Sequence, residues 1–331
     1  MIVVLTSCGA KGKPSSSGGS PSANGIMRLI QTIPLPNVSG RIDHLAIDVK
    51  GNRLFVAALG NNTVEVLDLN KGKVIHSIPG LDEPQGILFI PGLNKLFVAN
   101  GGNGHCEIFD GSSFATIGDI KLSGDADNIR YDSHTSSVVV GYGDGGLSFI
   151  DAQSGKVTSS IQLDGHPEAF QPESAGTRIF VNIPSANQIA VVEPGQQKVT
   201  ATWRMAKALA NFPMALDEGQ HRLFVGFRLP ARLNVFDTET GNQVASLDSA
   251  GDVDDIFYDA AHKLVFAIGG QGVVDIFSQQ DADHYQLLKR IPTAAGARTG
   301  LWVPESNRLY VAAPRQGTHA AEIQVYELHL S

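Results

Sequence analysis

A short apolar core recurs seven times along this chain: Leu54-Phe55-Val56, Leu96-Phe97-Val98, Val138-Val139-Val140, Ile179-Phe180-Val181, Leu223-Phe224-Val225, Leu264-Val265-Phe266 and Leu309-Tyr310-Val311. The first positions, 54, 96, 138, 179, 223, 264 and 309, are 42, 42, 41, 44, 41 and 45 residues apart. A period of that size marks one supersecondary unit that cannot bury its own faces and must stack on its neighbours. The copies fill the chain from about residue 26 to its end, so one repeat architecture accounts for almost all of it.

Each copy has the same internal order. An approach strand, His44-Leu45-Ala46-Ile47-Asp48 in the first copy, runs into a polar turn at 49–52. The apolar core strand follows and ends in small residues, Ala57-Ala58-Leu59-Gly60. A turn at Asn61-Asn62 opens an alternating strand, Thr63-Val64-Glu65-Val66-Leu67-Asp68, and Asn70-Lys71-Gly72-Lys73 turns the chain into a weaker fourth strand, Val74 to Ile78. Period-two alternation, β-branched residues and Gly/Asn/Asp punctuation all favour strands over helices. Four strands per unit of about 42 residues, seven times over, predict an all-β seven-bladed propeller. The last copy stops after three strands, at Ala321–Leu328. Met27 to Ile33 precedes the first approach strand and is expected to supply the missing fourth, closing the ring so that it presents no open edge.

Arg53-Leu54-Phe55-Val56-Ala57, Lys95-Leu96-Phe97-Val98-Ala99-Asn100 and Arg308-Leu309-Tyr310-Val311-Ala312, each followed by a V-x-V-x-D-like strand, resemble the YVTN-repeat family of seven-bladed propellers. The resemblance spans about residues 26–331 and implies the fold. It does not imply a chemistry, because a fold hosts many functions.

The 331 residues carry 25 Lys+Arg against 33 Asp+Glu, a net charge of −8. That argues against a nucleic-acid partner, which needs a basic surface. The 36 glycines, above the usual ~7% of a chain, fit many tight turns. No run approaches the 18 apolar residues of a membrane-spanning helix. Residues 1–8 end in Leu5-Thr6-Ser7-Cys8, which resembles the bacterial lipobox, and 9–25 form a Ser/Gly/Pro-rich tether. The resemblance implies a truncated lipoprotein-type signal with Cys8 as the lipidated residue. The implied location is the periplasmic or cell-surface side of a bacterial membrane, with the anchor as the only membrane contact. Cys106, the second cysteine, reads as a small buried hydrophobe on a strand.

The segments that lead into the innermost strands surround the channel. Aligned on the core strands, their lead positions are Asp43, Gln85, Asp127, Glu168, Phe212, Asp254 and Arg298, followed by His44, Gly86, Asn128, Ala169, Pro213, Asp255 and Thr299. The copies differ here far more than in their core strands. A varied, convergent polar ring is what one asymmetric site would look like. The expected ligand-binding set is Asp43, His44, Gln85, Asp127, Asn128, Glu168, Asp254, Asp255 and Arg298, with Arg228 from the basic loop Arg228–Arg232.

Three readings of this ring compete. Asp43, Asp127, Glu168 and Asp254 could hold a divalent cation such as Ca²⁺, which takes six to eight oxygens. Arg41, Arg130, Arg298, His44 and His166 could instead neutralise the acids around a small-ligand site without a metal. The same groups could also form a polar plug that fixes blade register. Asn61, Asn103, His105, Asp144, Asn187, Arg232 and Arg315 add outer-loop polar groups on that face. Gly141–Gly146 is glycine-rich but lies between two strands, and reads as a turn rather than a phosphate loop.

No CxxC, HExxH, Walker loop or GxSxG elbow is present. The favoured function is therefore a binding module for a small ligand or an envelope protein, working as a monomer. The alternatives are a lactonase-like hydrolase and a structural envelope scaffold. For a hydrolase, the candidates are Glu168 or Asp254 as base, with His44, His166 and Arg298 beside them.

Overall fold

A computed structural model describes residues 26–205 and 207–329. The tether and Cys8 lie outside the described residues. Strand β1 is Met27–Leu35, and blade 1 follows as β2 (Leu45–Asp48), β3 (Arg53–Ala58), β4 (Thr63–Asp68) and β5 (Lys73–Pro79). Blades 2 to 6 hold β6–β9 (84–121), β10–β13 (126–162), β14–β17 (170–204), β18–β21 (209–248) and β22–β25 (253–292). Blade 7 is built from β26 (Gly300–Val303), β27 (Arg308–Ala313) and β28 (Ala321–Leu328), with β1 as its outermost strand. Every sheet is four-stranded and antiparallel, a simple meander in blades 1 to 6 and completed by β1 in blade 7, and the described residues include no α-helix.

The second strand of each blade explains the repeated apolar core. Leu54 and Val56 pack toward blade 7, while Phe55 and Ala57, one pleat apart, pack toward blade 2. In the next blade Leu96 and Val98 face blade 1, and Phe97 and Ala99 face blade 3. A strand buried on both faces needs apolar residues at every position, so the alternation expected of a half-exposed strand disappears. Seven hydrophobic clusters result, one at each junction between blades.

β1 closes the ring by pairing with β28 from Met27↔Leu328 to Leu35↔Ala321. Ile33 and Leu35 of this strand are fully buried in the cluster that joins blade 7 to blade 1. The first and last parts of the propeller are thereby held by backbone hydrogen bonds as well as by packing.

The first hairpin of each blade turns through a left-handed residue: Asn52, Asn94, Ser136, Gly176, His221, Lys263 and Asn307. Asn and Gly suit that conformation; Ser136, His221 and Lys263 adopt it under the constraint of the ring.

The basic residue ahead of the core strand has a structural task. Arg53 Nη1 donates to the Gly111 carbonyl of blade 2, and Lys95 Nζ donates to the Ala152 carbonyl of blade 3 at 3.2 Å. Arg178 reaches the Thr238 carbonyl of blade 5 at 2.9 Å, and Arg222 the Ala282 carbonyl of blade 6 at 3.0 Å. Arg53 also holds Asp48 at 2.8 Å and lies over the rings of Phe55 and Phe89. Because second strands begin at the face opposite the channel mouth, these contacts form a ring of interblade clamps there.

Candidate functional site

The seven innermost strands start at one face, and the residues ahead of them form a polar collar around the axis. In blades 2, 3, 5 and 6 the pairing of the first two strands shifts at this point, as between Ala126 and Ile129 or between Val253 and Asp255. Such a bulge re-aims side chains. Here successive residues, Asp127 and Asn128, both reach polar groups of other blades.

Most collar charges are paired. Arg41 Nη2 lies 2.8 Å from Asp43 and 3.7 Å from Asp254. Arg228 donates to Asp254 and to the Val253 carbonyl, and its guanidinium stacks on the Phe212 ring at 3.8 Å. Arg298 holds Asp252 at 3.0 Å. His44 crosses the channel: Nδ1 is 3.4 Å from Asp255, and Nε2 is 3.3 Å from Asn128 Nδ2. Asp255 also accepts the Gly300 backbone N–H at 2.8 Å. Asp43 is 1% exposed and Asn128 3%.

The collar shifts the acid–base properties of its members. Burial pulls His44 down, but Asp255, Asp43 and Asp127 outweigh it and raise it to about 10. Burial raises Asp43, against His44 and Arg41. Burial and the Asp43 charge lift Asp254 to about 7, against Arg228 and Arg41.

One sector is different. Glu168 and Asp127 have no Arg or Lys nitrogen within 4.0 Å among the described residues. Their neighbour is His166, whose Nε2 is 3.6 Å from Asp127 and whose Nδ1 donates to the Gly143 carbonyl at 2.7 Å. One ligand-type atom from each of Asp127, His166 and Glu168 lies within 4.8 Å of the others. Burial and then the Asp127 charge push Glu168 up to about 8. Burial lowers His166, but Asp127, the Gly143 carbonyl and Asp125 raise it to about 9. Beside this sector lies a polar hollow of about 410 Å³ lined by 123–125, 142–146, Gln162 and His166. The Gly141–Gly146 segment is the hairpin turn between the second and third strands of blade 3, and its tip forms one wall of this hollow.

The cation set expected from sequence is thus divided. Asp43 and Asp254 are engaged by Arg41 and Arg228, whereas Asp127 and Glu168 meet His166. One imidazole with two carboxylates suits Zn²⁺ or a similar first-row ion better than the all-oxygen shell of Ca²⁺. A ligating histidine also commonly donates its second N–H to a carbonyl, as His166 does to Gly143.

Gln85 sits at the rim and donates to Asp125 at 3.1 Å. Asn187, Arg232 and Arg315 are engaged locally, by the Met205 carbonyl, by Asp248 and by the Val38 and Pro36 carbonyls. Sequence reasoning missed Asp252 and Asp125 as collar members; both lie two residues ahead of the lead positions Asp254 and Asp127 and carry a left-handed φ. Arg130 corrects an expectation. It makes no ion pair within 4.0 Å among the described residues, and Asp255 and Asp127 act on its charge only from further off. It lies one pleat deeper, on the channel-facing register occupied by Ala46, Leu88, Gln171, Ala215, Phe257 and Leu301 in the other blades.

No family model matches the chain, and no curated protein matches its sequence. The likeness to YVTN repeats therefore rests on the strand residues alone. Among solved structures, a chain of "Crystal Structure of Mitotic Checkpoint Complex" superposes with a TM-score of 0.78 at 14% identity, covering 100% of this chain and 99% of that one. A chain of "Kuenenia stuttgartiensis Hydrazine Synthase" superposes with a TM-score of 0.73 at 16% identity, covering 85% and 93%. These likenesses define the class, a seven-bladed β-propeller. At such identities they concern fold alone.

Proposed function

We propose that the protein is a binding module that takes a small polar ligand at the collar, through Asp127, His166 and Glu168. The observation that supports this most strongly is the contrast within the collar. A polar plug gains from pairing every charge, because an uncompensated buried carboxylate is costly. Asp43, Asp252, Asp254 and Asp255 are paired within 4.0 Å; Asp127 and Glu168 have no Arg or Lys nitrogen that close among the described residues, feel Arg41 and Arg228 only from further off, and share His166, which borders a polar hollow. A divalent transition ion or a ligand ammonium group would replace protons there. With this reading goes an anchor: the order of apolar residues, Leu5-Thr6-Ser7-Cys8 and tether supports display outside the cytoplasm on a lipid at Cys8.

The test is calorimetric titration of the full chain with Zn²⁺ and with Ca²⁺, together with a thermal-shift screen of amines and polyols. Binding that weakens at least tenfold in both Asp127→Asn and Glu168→Gln, with unchanged circular dichroism, is the expected result. A wild-type protein that binds none of these probes contradicts the proposal. A hydrolase reading has one observation in its favour: Glu168, raised to about 8, is suited to act as a general base near neutral pH. Lactone turnover that disappears in Glu168→Gln would move the assignment from binding to catalysis.

A further inference from the structure

Beneath the collar the channel changes character. Its cavity, about 320 Å³, is bounded by Leu88, Phe257 and Leu301 on its apolar sides; Arg130 and Gln171 are polar groups of its wall, and the collar's His44 and Asp255, already engaged with each other, line it as well. That size falls at the lower end of small-molecule sites, roughly 300–1,000 Å³. Gln171 is committed, donating to the Met214 carbonyl at 3.2 Å. Arg130 is not. Of its five N–H donors, only Nη1 has a protein acceptor among the described residues, its neighbour's carbonyl at Ile129, 2.8 Å away.

Asp255 and Asp127 act on this guanidinium only from beyond 4.0 Å, and a desolvated guanidinium is expensive unless an anion meets it directly. The six other blades place Ala, Leu, Gln, Ala, Phe and Leu at this register, so the ring does not need an arginine there. Arg130 and Gln171 also line a second hollow of about 230 Å³, formed with 131–133, 172–174 and Glu218 at the clamp face. The cation can therefore be approached from the face opposite the collar.

We propose that this channel is a second binding site, separate from the collar, for a small organic monocarboxylate with an apolar tail. The carboxylate lies on the Arg130 guanidinium, where two parallel N–H···O bonds are geometrically natural. The tail lies along Leu88, Phe257 and Leu301. The site does not depend on the collar reading, and either can fail while the other stands.

The experiment is calorimetric titration of the full chain with linear carboxylates from acetate to decanoate, and with octan-1-ol as the uncharged control. Affinity should rise about fourfold per added methylene until the cavity is filled. Octan-1-ol should bind at least tenfold more weakly than octanoate. Arg130→Met should weaken octanoate at least tenfold while melting at or above the wild-type temperature, because burial outweighs the distant attraction of Asp255 and Asp127 and leaves the charge a net cost to the unliganded fold. Leu301→Trp fills the channel while keeping the Arg130 side chain and should also abolish binding, which keeps the test decisive if Arg130→Met fails to fold. Glu168→Gln should leave octanoate affinity within twofold, separating this site from the collar. Absence of saturable binding by octanoate and decanoate overturns the proposal. So does an Arg130→Met protein that binds them as the wild type does.

Discussion

The two faces of the propeller treat equivalent positions in opposite ways. On the clamp face, Arg53, Lys95, Arg178 and Arg222 occupy one position of the repeat and do one thing: each reaches a backbone carbonyl in the next blade. On the collar face, Asp43, Gln85, Asp127, Glu168, Phe212, Asp254 and Arg298 occupy one position and share no task. Some form ion pairs, Phe212 underlies an arginine, and Glu168 has no Arg or Lys nitrogen within 4.0 Å among the described residues. A repeated residue in a repeated position reflects what the ring needs. An individual residue in a repeated position reflects something the ring does not need, and the collar and Arg130 are the two places where the chain carries such residues deep inside.

Breaking the repeated features should have the largest effects on stability. Phe97→Ala empties a fully buried site between blades 2 and 3 and should cost about 3–5 kcal/mol in urea unfolding. A loss under 1 kcal/mol would mean the junction can collapse around the gap. Arg53→Ala strands the buried Asp48 carboxylate and removes the cation from the Phe55 and Phe89 faces, so a loss of about 3 kcal/mol is expected. The measurement is the same, and a neutral outcome would reduce the clamp to a surface contact.

The collar should respond to pH rather than to truncation alone. His44 is raised from 6.5 to about 10, so the folded state holds its proton more tightly than the unfolded chain. Its contribution is complete below pH about 6.5 and is lost as pH rises through about 10. The stability gap between wild type and His44→Gln should therefore be widest near pH 6 and close by about pH 10. A gap independent of pH would mean that His44 acts through packing. At the bottom of the scale, Lys71→Ala breaks only an exposed pair with Asp68 and should move stability by less than about 0.5 kcal/mol.

The ring was legible because its cause is local. Leu54-Phe55-Val56 and its six counterparts are apolar at consecutive positions since both faces of that strand are buried, and counting outward from them locates the collar. The collar's partners were not legible. Arg41 meets Asp254 and Asn128 meets His44 only because the closed ring brings together residues of different blades, and no spacing encodes that. Arg130 was misplaced by depth: two residues beyond Asn128 on the same face, it sits about 7 Å further down the strand, below the acids it was expected to neutralise. The clamps were visible as a recurrent Arg or Lys ahead of the core strand. Their reach into the next blade emerged only with the stacking of the sheets.

Urea denaturation of the wild type and Glu168→Gln, at pH 4 and at pH 9, tests the central claim most directly. Glu168 is raised from 4.5 to about 8. Its ionisation therefore weakens the folded state progressively from pH about 4.5 and fully above about 8. If the open sector is kept for a ligand at the expense of stability, the unliganded Gln variant should match the wild type at pH 4 and exceed it at pH 9. A variant less stable than the wild type at pH 9 would show that the Glu168 carboxylate is a structural member of the collar, and would contradict the account.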